Sequence, residues 1–304
     1  VSAMPASSRG RLFFTIDVED WTADFPDMQG APSRVAAPMH RLLDLLEAHQ
    51  SRATLFFLVE CARRHPEVLQ RAVAAGHHIG LHGLDHRLVY RQQPDAFERA
   101  IREGRQCLED VGGVPVTTYR APCWSITRES LWAVERLEAA GFEVDSSIFP
   151  TKNHLYGIPD APVDPYALTP GLVEIPPSVA LFGNLKVPFG GGFYLRALPL
   201  WVTQQLLQRN VKAGRNVVLY VHPWELDVEQ PRDLPYTSVV ARTIHYFQLR
   251  RTEERLAALL RQFGPFEALP QRAEAARALL TERSVPLAGF PAPRADAGRQ
   301  ASHV

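Results

Sequence analysis

The sequence is poor in several things that would each mark a different kind of protein. It carries no net charge, with 33 lysines and arginines against 33 acidic residues, so it has no field suited to gripping nucleic acid or an anionic membrane. A neutral or weakly charged substrate is the default. Its three cysteines, Cys61, Cys107 and Cys123, lie far apart with no C-x-x-C pair, which excludes a zinc knuckle and a disulfide framework and leaves reduced packing residues. No apolar run is long enough to span a membrane, so no integral membrane segment is expected. Near the start only Leu12 to Ile16 is apolar, too short for the core of a secretion signal, and a cytoplasmic location is expected. The only lysines are Lys152, Lys186 and Lys212, a compositional bias with no functional reading. There is no H-E-x-x-H helix and no internal repeat, and Gly190-Gly191-Gly192 lacks the strand-to-helix setting of a phosphate loop. What is present is the composition of a globular protein, 46% hydrophobic and 22% charged, over 304 residues that make either one large barrel or two ordinary domains.

The order of elements decides between these. Leu12 to Asp17 is a buried strand that breaks into charge, followed by a helix over Ala37 to His49. Strands are expected at Ala53 to Val59, His78 to Leu81, Val116 to Tyr119 and Phe142 to Asp145. Helices fall between them at Pro66 to Ala75, Pro94 to Val111 and Thr127 to Ala140. Residues 150–198 hold many of the 25 prolines and the triple glycine, and read as long loops with a small hairpin over the barrel mouth. A helix over Pro199 to Ala213, a strand over Val217 to Val221 and a helix over Thr252 to Phe263 restore the alternation. Beyond about Val285 the tail reads as disordered. Alternating strands and helices give a parallel sheet in a single α/β domain.

In such a fold the chemistry gathers where strands end. Those positions hold Asp17, Glu19 and Asp20; His82 and His86; Arg120, Pro122 and Trp124; Asp145 with Ser146 and Ser147; and His222 with Trp224 and Glu225. Two histidines four apart plus a carboxylate from another strand make a three-ligand site with positions left open, the pattern of a catalytic metal. Singly, each has an ordinary explanation: surface loop histidines, a solvated acidic turn, a packing arginine, a turn-capping aspartate. Their joint placement at successive strand ends is what argues for a site.

The segments T-I-D-V-E-D, H-G-L-D-H, R-A-P-C-W, D-S-S-I-F-P and V-H-P-W-E, in this order over residues 11 to 265, resemble the five motifs of the polysaccharide deacetylases of carbohydrate esterase family 4. The phrases are most similar to those of the exopolysaccharide deacetylases associated with exosortase gene clusters. The resemblance implies a distorted (β/α)7 barrel over residues 11–265, with a loop-rich groove at 150–198 and extensions at 1–10 and 266–304. It also implies one divalent metal, zinc first with cobalt, nickel or iron as alternatives, and hydrolysis of N-acetyl groups from a sugar polymer or its oligosaccharide precursor. Carried onto this sequence, Asp17 is the base, and His82 and His86 hold the metal with Glu19 or Asp20. Arg120 pairs with Asp17, His222 protonates the leaving nitrogen, Asp145 orients His222, and the Cys123 backbone N–H faces the oxyanion. Trp124, Ser147 and Trp224 are expected to contact substrate, with Ile148 helping Trp124 and Trp224 form the slot for the acetyl methyl.

Three departures stand out. The usual adjacent aspartates are replaced by Asp17-Val18-Glu19-Asp20, which leaves Glu19 and Asp20 both open as the ligand; Gly83 stands where Ser or Thr is common; and Tyr220 stands where leucine is common. Trp21, Phe193, Tyr194 and Trp224 are candidates for stacking on sugar rings, and Asp85 and Arg87 for bracing the histidine loop. His40, His49, His65, His77, His78, His154, His245 and His303 receive no chemical role. Two rivals remain. One is a barrel glycosidase using Glu19 with Glu225 or Glu174, which leaves the histidines idle. The other is a polysaccharide-binding protein that has lost its chemistry.

Overall fold

The computed structural model describes residues 10–287 apart from 29, 152–155, 233 and 237. Its strands are β1 (Leu12–Val18), β2 (Thr54–Leu58), β3 (His78–Gly83), β4 (Thr118–Tyr119), β5 (Val144–Asp145), β6 (Tyr166–Ala167), β7 (Val173–Glu174), β8 (Val179–Phe182), β9 (Leu185–Pro188) and β10 (Val217–Val221). Its helices are α1 (Ala36–Ala48), α2 (Val59–Arg64), α3 (Pro66–Ala74), α4 (Pro94–Gly112), α5 (Trp132–Ala139), α6 (Gly192–Ala197), α7 (Leu200–Lys212), α8 (Val239–Tyr246), α9 (Thr252–Phe263) and α10 (Ala273–Arg277). Seven strands run parallel in the order β10-β1-β2-β3-β4-β5-β7, and β6 joins antiparallel at the β7 edge. The sheet curls into the distorted (β/α)7 barrel that the motifs imply, and β8 and β9 form the expected hairpin in the loop-rich segment. Among the described residues no helix is long and apolar enough to cross a membrane.

Alternation along each strand explains how the site is built. Side chains two apart share a face of a strand. On β1, Phe14, Ile16 and Val18 pack outward into the main core beneath the helices. Phe13 joins a smaller inner core with Phe56 and Val218, and Thr15 and Asp17 follow it on the inward face, toward the mouth. The inner face of β10 changes in the same way, from Val218 to Tyr220 and then His222 just past the strand. On β3 the inward step before His82 is Gly80, where a Cβ would lie 2.6 Å from both the Phe56 ring and Thr118 Oγ1, so the inner barrel has no room for a larger residue there.

The triple glycine forms no ligand cradle. Tyr220 N–H donates to the Gly190 carbonyl at 2.9 Å, and Gly191 bridges Tyr220. A Cβ on Gly191 would sit 1.8 Å from the Tyr220 carbonyl oxygen, so this segment extends the sheet beside β10 only because it is glycine.

The C-terminal part differs from expectation. Residues 266–287, expected as an extension with partial disorder, close the bottom of the barrel: Leu269, Ala276 and Leu279 are buried in the inner core. The segment is stitched in by Leu269 N–H to Thr54 Oγ1 at 2.9 Å and Ala273 N–H to Glu143 Oε2 at 2.8 Å. Much of its apolar content is alanine, and its larger apolar residues are split by a proline- and charge-rich stretch, which is why it reads as a tail. The expected disorder beyond 287 and most of the N-terminal extension, residues 1–9, lie outside the described residues, as do Lys152, His154 and His303. Helices α2 and α8 were also unexpected. The first follows β2 with no break, and the second begins with two β-branched residues, Val239 and Val240.

If residues 266–287 belong to the barrel, Leu269→Ala should destabilise the protein by about 2–5 kcal/mol, the usual cost of emptying a fully buried leucine site. Denaturant unfolding measures this directly; a change under about 0.5 kcal/mol would place Leu269 outside the cooperative core.

Candidate metal centre and active site

Glu19, His82 and His86 converge at the barrel mouth. The inward face of β1 runs through Thr15 and Asp17, and a tight turn with Glu19 N–H donating to the Asp17 carbonyl at 3.0 Å carries Glu19 to the same side. Glu19 Oε2 stands 2.9 Å from His86 Nε2 and 3.5 Å from His82 Nε2. These spacings bracket the edge of about 3.3 Å expected for a tetrahedral ion with bonds of roughly 2.0–2.1 Å. Both imidazoles are pre-aimed from behind: His82 Nδ1–H donates to the Arg120 carbonyl at 2.9 Å, and His86 Nδ1 lies 3.1 Å from Asp24 Oδ1. That leaves each Nε2 facing the carboxylate. Glu19 Oε2 is buried and faces both imidazole Nε2 atoms, so the donor set fits a divalent cation.

Asp20, the other candidate ligand, points away. Its carboxylate accepts the Trp21 N–H at 2.9 Å and the Arg34 N–H at 3.1 Å, shaping the loop after β1. The alternation that aligns Asp17 with Glu19 turns Asp20 to the other side. Gly83 also has a local reason: its φ is +112°, which a serine or threonine would adopt only with strain, and this turn sends the chain from His82 toward His86.

Arg120 has no exposed surface. Its Nη1 donates to Asp17 Oδ1 at 2.7 Å and to Thr15 Oγ1 at 2.8 Å, and its Nε and Nη2 donate to the carbonyl and hydroxyl of Ser146. The expected pairing with Asp17 is therefore present. Asp17 Oδ2 remains directed toward His222 Nε2, 3.8 Å away, and Glu19 Oε1 lies at the same distance from that nitrogen.

The orienting partner of His222 is not Asp145. His222 Nδ1–H donates to Glu225 Oε1 at 2.8 Å, and Arg196 Nε donates to Glu225 Oε2 at 2.7 Å in a fully buried pair. Burial works against the charged form of His222, but Glu19, Glu225 and Asp17 outweigh it and raise its pKa to about 9. For His86, burial is likewise outweighed by Glu19, Cys123 and Asp24, and its pKa lies well above the usual value. A pocket that pulls this strongly on protons also attracts a divalent cation.

Asp145 belongs to a different group. It pairs in register with Glu174 across β5 and β7, which sets two buried carboxyl groups side by side. Burial raises the pKa of Asp145 to about 6, and burial together with Asp145 raises that of Glu174 well above the usual carboxylate range. Ser147 is no substrate contact either: it is buried, donates to Asp145 Oδ1 and accepts the Ala121 N–H at 2.8 Å. Asp145, Ser147 and Glu174 thus form a support beneath the Arg120 loop, with Glu174 accepting the Ile148 N–H at 3.0 Å. Ile148, expected in the acetyl slot, is buried in the main core.

The cavity above these groups has a volume of about 370 Å³. Trp124 and Tyr220 form its apolar wall with ring centroids 4.5 Å apart, so the tyrosine in place of leucine builds the wall rather than breaching it. Cys123 and Trp124 both have positive φ, at 51° and 47°, which turns this backbone sharply beside the metal cluster. Burial raises the Cys123 thiol to about 12. Phe193, Tyr194 and Trp224 line the cavity, whereas Trp21 is buried outside it with its indole N–H on the Pro32 carbonyl. His245, given no role by the sequence, also lines the cavity, stacked on Trp224 at 4.3 Å. Asp85 and Arg87 pair with each other at 3.0 Å on the outside of the histidine loop. A larger hollow of about 540 Å³ lies between Arg34 and Asp227, but these are already bonded to each other and no histidine or cysteine lines it.

Comparisons with known proteins agree with this geometry. Residues 25–142 match the family model described as polysaccharide deacetylase, and residues 146–271 match one described as a domain of unknown function, DUF3473. The putative polysaccharide deacetylase YheN of Bacillus subtilis (strain 168) is 32% identical over 123 residues, 38% of this chain and 43% of that protein. A peptidoglycan-N-acetylglucosamine deacetylase of Bacillus cereus is 29% identical over 114 residues, 37% of this chain and 38% of that protein. The chain therefore spans less than half the length of these relatives. A putative polysaccharide deacetylase from Mycobacterium smegmatis has a similar crystal structure, with TM-score 0.60 and 20% identity over 97% of each chain. Puue allantoinase gives TM-score 0.57 and 17% identity over 90% of this chain and 91% of that one. At these identities the structures establish the shared fold.

The buried acid pair makes a pH prediction. Raised carboxyl pKa values mean that the folded chain keeps a proton which the unfolded chain releases from about pH 4 upward. Stability therefore falls as pH rises from there through about 6, the value for Asp145, with the raised carboxyl of Glu174 acting in the same direction. Glu174→Gln, which mimics the protonated form, should melt higher than the unaltered protein at roughly pH 8 and lose that advantage near pH 4. A variant less stable at both pH values would contradict the raised carboxyl pKa values.

Proposed function

We propose that this chain is a metal-dependent hydrolase that removes N-acetyl groups from amino sugars of a polysaccharide or its oligosaccharide precursor, releasing acetate. The observation that carries this reading is the convergence of Glu19, His82 and His86 next to Asp17 and His222 in one cavity. The donor set of one carboxylate and two imidazoles suits zinc first, with cobalt, nickel and iron as alternatives. When bound, a divalent ion here supplies Lewis acidity to the acetyl carbonyl and lowers the pKa of water.

The residues around it divide the remaining work. Arg120 holds Asp17 Oδ1, which leaves Oδ2 to take the proton from the attacking water as its oxygen bonds to the acetyl carbon. The Cys123 backbone N–H, on the sharply turned segment, faces the oxygen of the tetrahedral carbon. His222, held by Glu225 and Arg196, donates its proton to nitrogen as the C–N bond breaks, yielding a free amine and acetate. Trp124 and Tyr220 enclose the methyl group.

The H-P-W-E phrase is among those that resemble the exosortase-associated exopolysaccharide deacetylases, and the proposal extends to that subgroup. A glycosidase is disfavoured because Glu225 is engaged by Arg196 and His222, and Glu174 is buried against Asp145.

Metal-loaded protein should release acetate from an N-acetylated glucosamine or galactosamine polymer. Asp17→Asn should lower kcat by roughly 10²–10⁴-fold, the usual contribution of a positioned base. Glu225→Gln should lower kcat by at least about tenfold with little change in KM, since it acts through His222. No acetate from any polymer, together with no bound metal, would overturn the proposal in favour of a silent binding protein.

A further inference from the structure

We propose that Trp224 is the positioning residue that aims the metal-binding carboxylate, and that it is what allows a glutamate to serve where the motif usually supplies an aspartate. This rests on the metal reading above. A glutamate has one more rotatable bond than an aspartate, so its carboxylate needs to be fixed before it can act as a ligand in a defined direction. The Trp224 indole N–H donates to Glu19 Oε1 at 3.0 Å. The other oxygen, Oε2, is buried and faces the Nε2 atoms of His82 and His86. One oxygen is held and the other is left for the ion.

The indole is itself immobilised. One face stacks on the His222 ring, with centroids 5.2 Å apart and 17° between planes, and the other on His245 at 4.3 Å and 9°. His245 is fixed through both ring nitrogens, by Gln230 Oε1 at 2.8 Å and the Tyr236 hydroxyl at 2.9 Å. Gln230 in turn donates to the Trp224 carbonyl at 2.9 Å. Burial, followed by Arg196, lowers the His245 pKa to about 4, so the ring behind the indole stays neutral. An indole N–H is also a neutral donor: a lysine or arginine in its place would hold Glu19 while repelling the cation. The same side chain therefore lines up the ligand and supports the ring of the proton donor.

The test is zinc affinity by chelator competition, which does not depend on turnover. Trp224→Phe keeps a stacking ring and removes the N–H; it should weaken zinc binding by about 10–100-fold. The melting temperature of the metal-free protein serves as the folding control. Naphthylalanine at position 224, which keeps both stacked faces and lacks only the N–H, should give the same factor even if the phenylalanine variant folds poorly. Glu19→Asp draws the carboxylate back from the indole, so adding Trp224→Phe to it should cost less than about threefold more. Equal zinc affinity in the unaltered and naphthylalanine proteins, or a loss on Trp224→Phe that is the same with and without Glu19→Asp, would overturn the proposal. Failure of the unaltered protein to bind stoichiometric zinc would instead overturn the metal reading, and this proposal with it.

Discussion

A guanidinium with no contact to solvent sits inside the barrel, and the active-site geometry depends on how Arg120 is satisfied. Its side chain grips Asp17 at 2.7 Å and reaches Thr15 and Ser146, joining the ends of β1, β4 and β5. Its carbonyl accepts the proton of His82 Nδ1 at 2.9 Å. One residue thus fixes the base by its side chain and a metal ligand by its backbone. Removing either partner of so buried a pair leaves an unmatched charge, at a cost of about 3–5 kcal/mol, so the position has little tolerance.

The other buried charges follow the same logic with different partners. Glu225 is matched by Arg196, which also donates to the His245 carbonyl at 2.9 Å and so links the orienting carboxylate to the rim of the cavity. Asp145 and Glu174 lie side by side without an ion-paired cation among the described residues, and burial raises the pKa of both. Glu19 is left with a buried oxygen that faces two imidazole nitrogens. The neutral balance of the whole sequence conceals this local surplus of negative charge at the mouth.

Much of this was legible before the fold was known, because strand alternation and the placement of polar residues at strand ends are local properties. Asp17, His82, His86, Arg120 and His222 could be identified in that way, and the inward rhythm of Thr15, Asp17 and Glu19 favours Glu19 once the strand is seen to continue its alternation past Val18. The exchange of Asp145 for Glu225 was harder to read. Asp145 ends one strand and Glu225 follows another, and only the tertiary position of Arg196 shows which carboxylate is ion-paired beside His222. His245 and Tyr236 lie on or beside a helix whose β-branched start hides its period, so their arrival at the cavity had no sequence signal. The sealing segment after Phe263 escaped for a related reason: Leu269 and Leu279 lie on either side of an alanine- and charge-rich stretch, and their burial is visible only in the packed barrel.

The central claim is that the metal is held by Glu19, His82 and His86. A second group of donors stands beside it, in which Asp24 and Cys123 share His86. X-ray absorption of the zinc-loaded protein separates the two. The account predicts nitrogen and oxygen scatterers at about 2.0–2.2 Å, including two imidazoles, and no sulfur. A sulfur at about 2.3 Å would put the ion on Cys123 and contradict it.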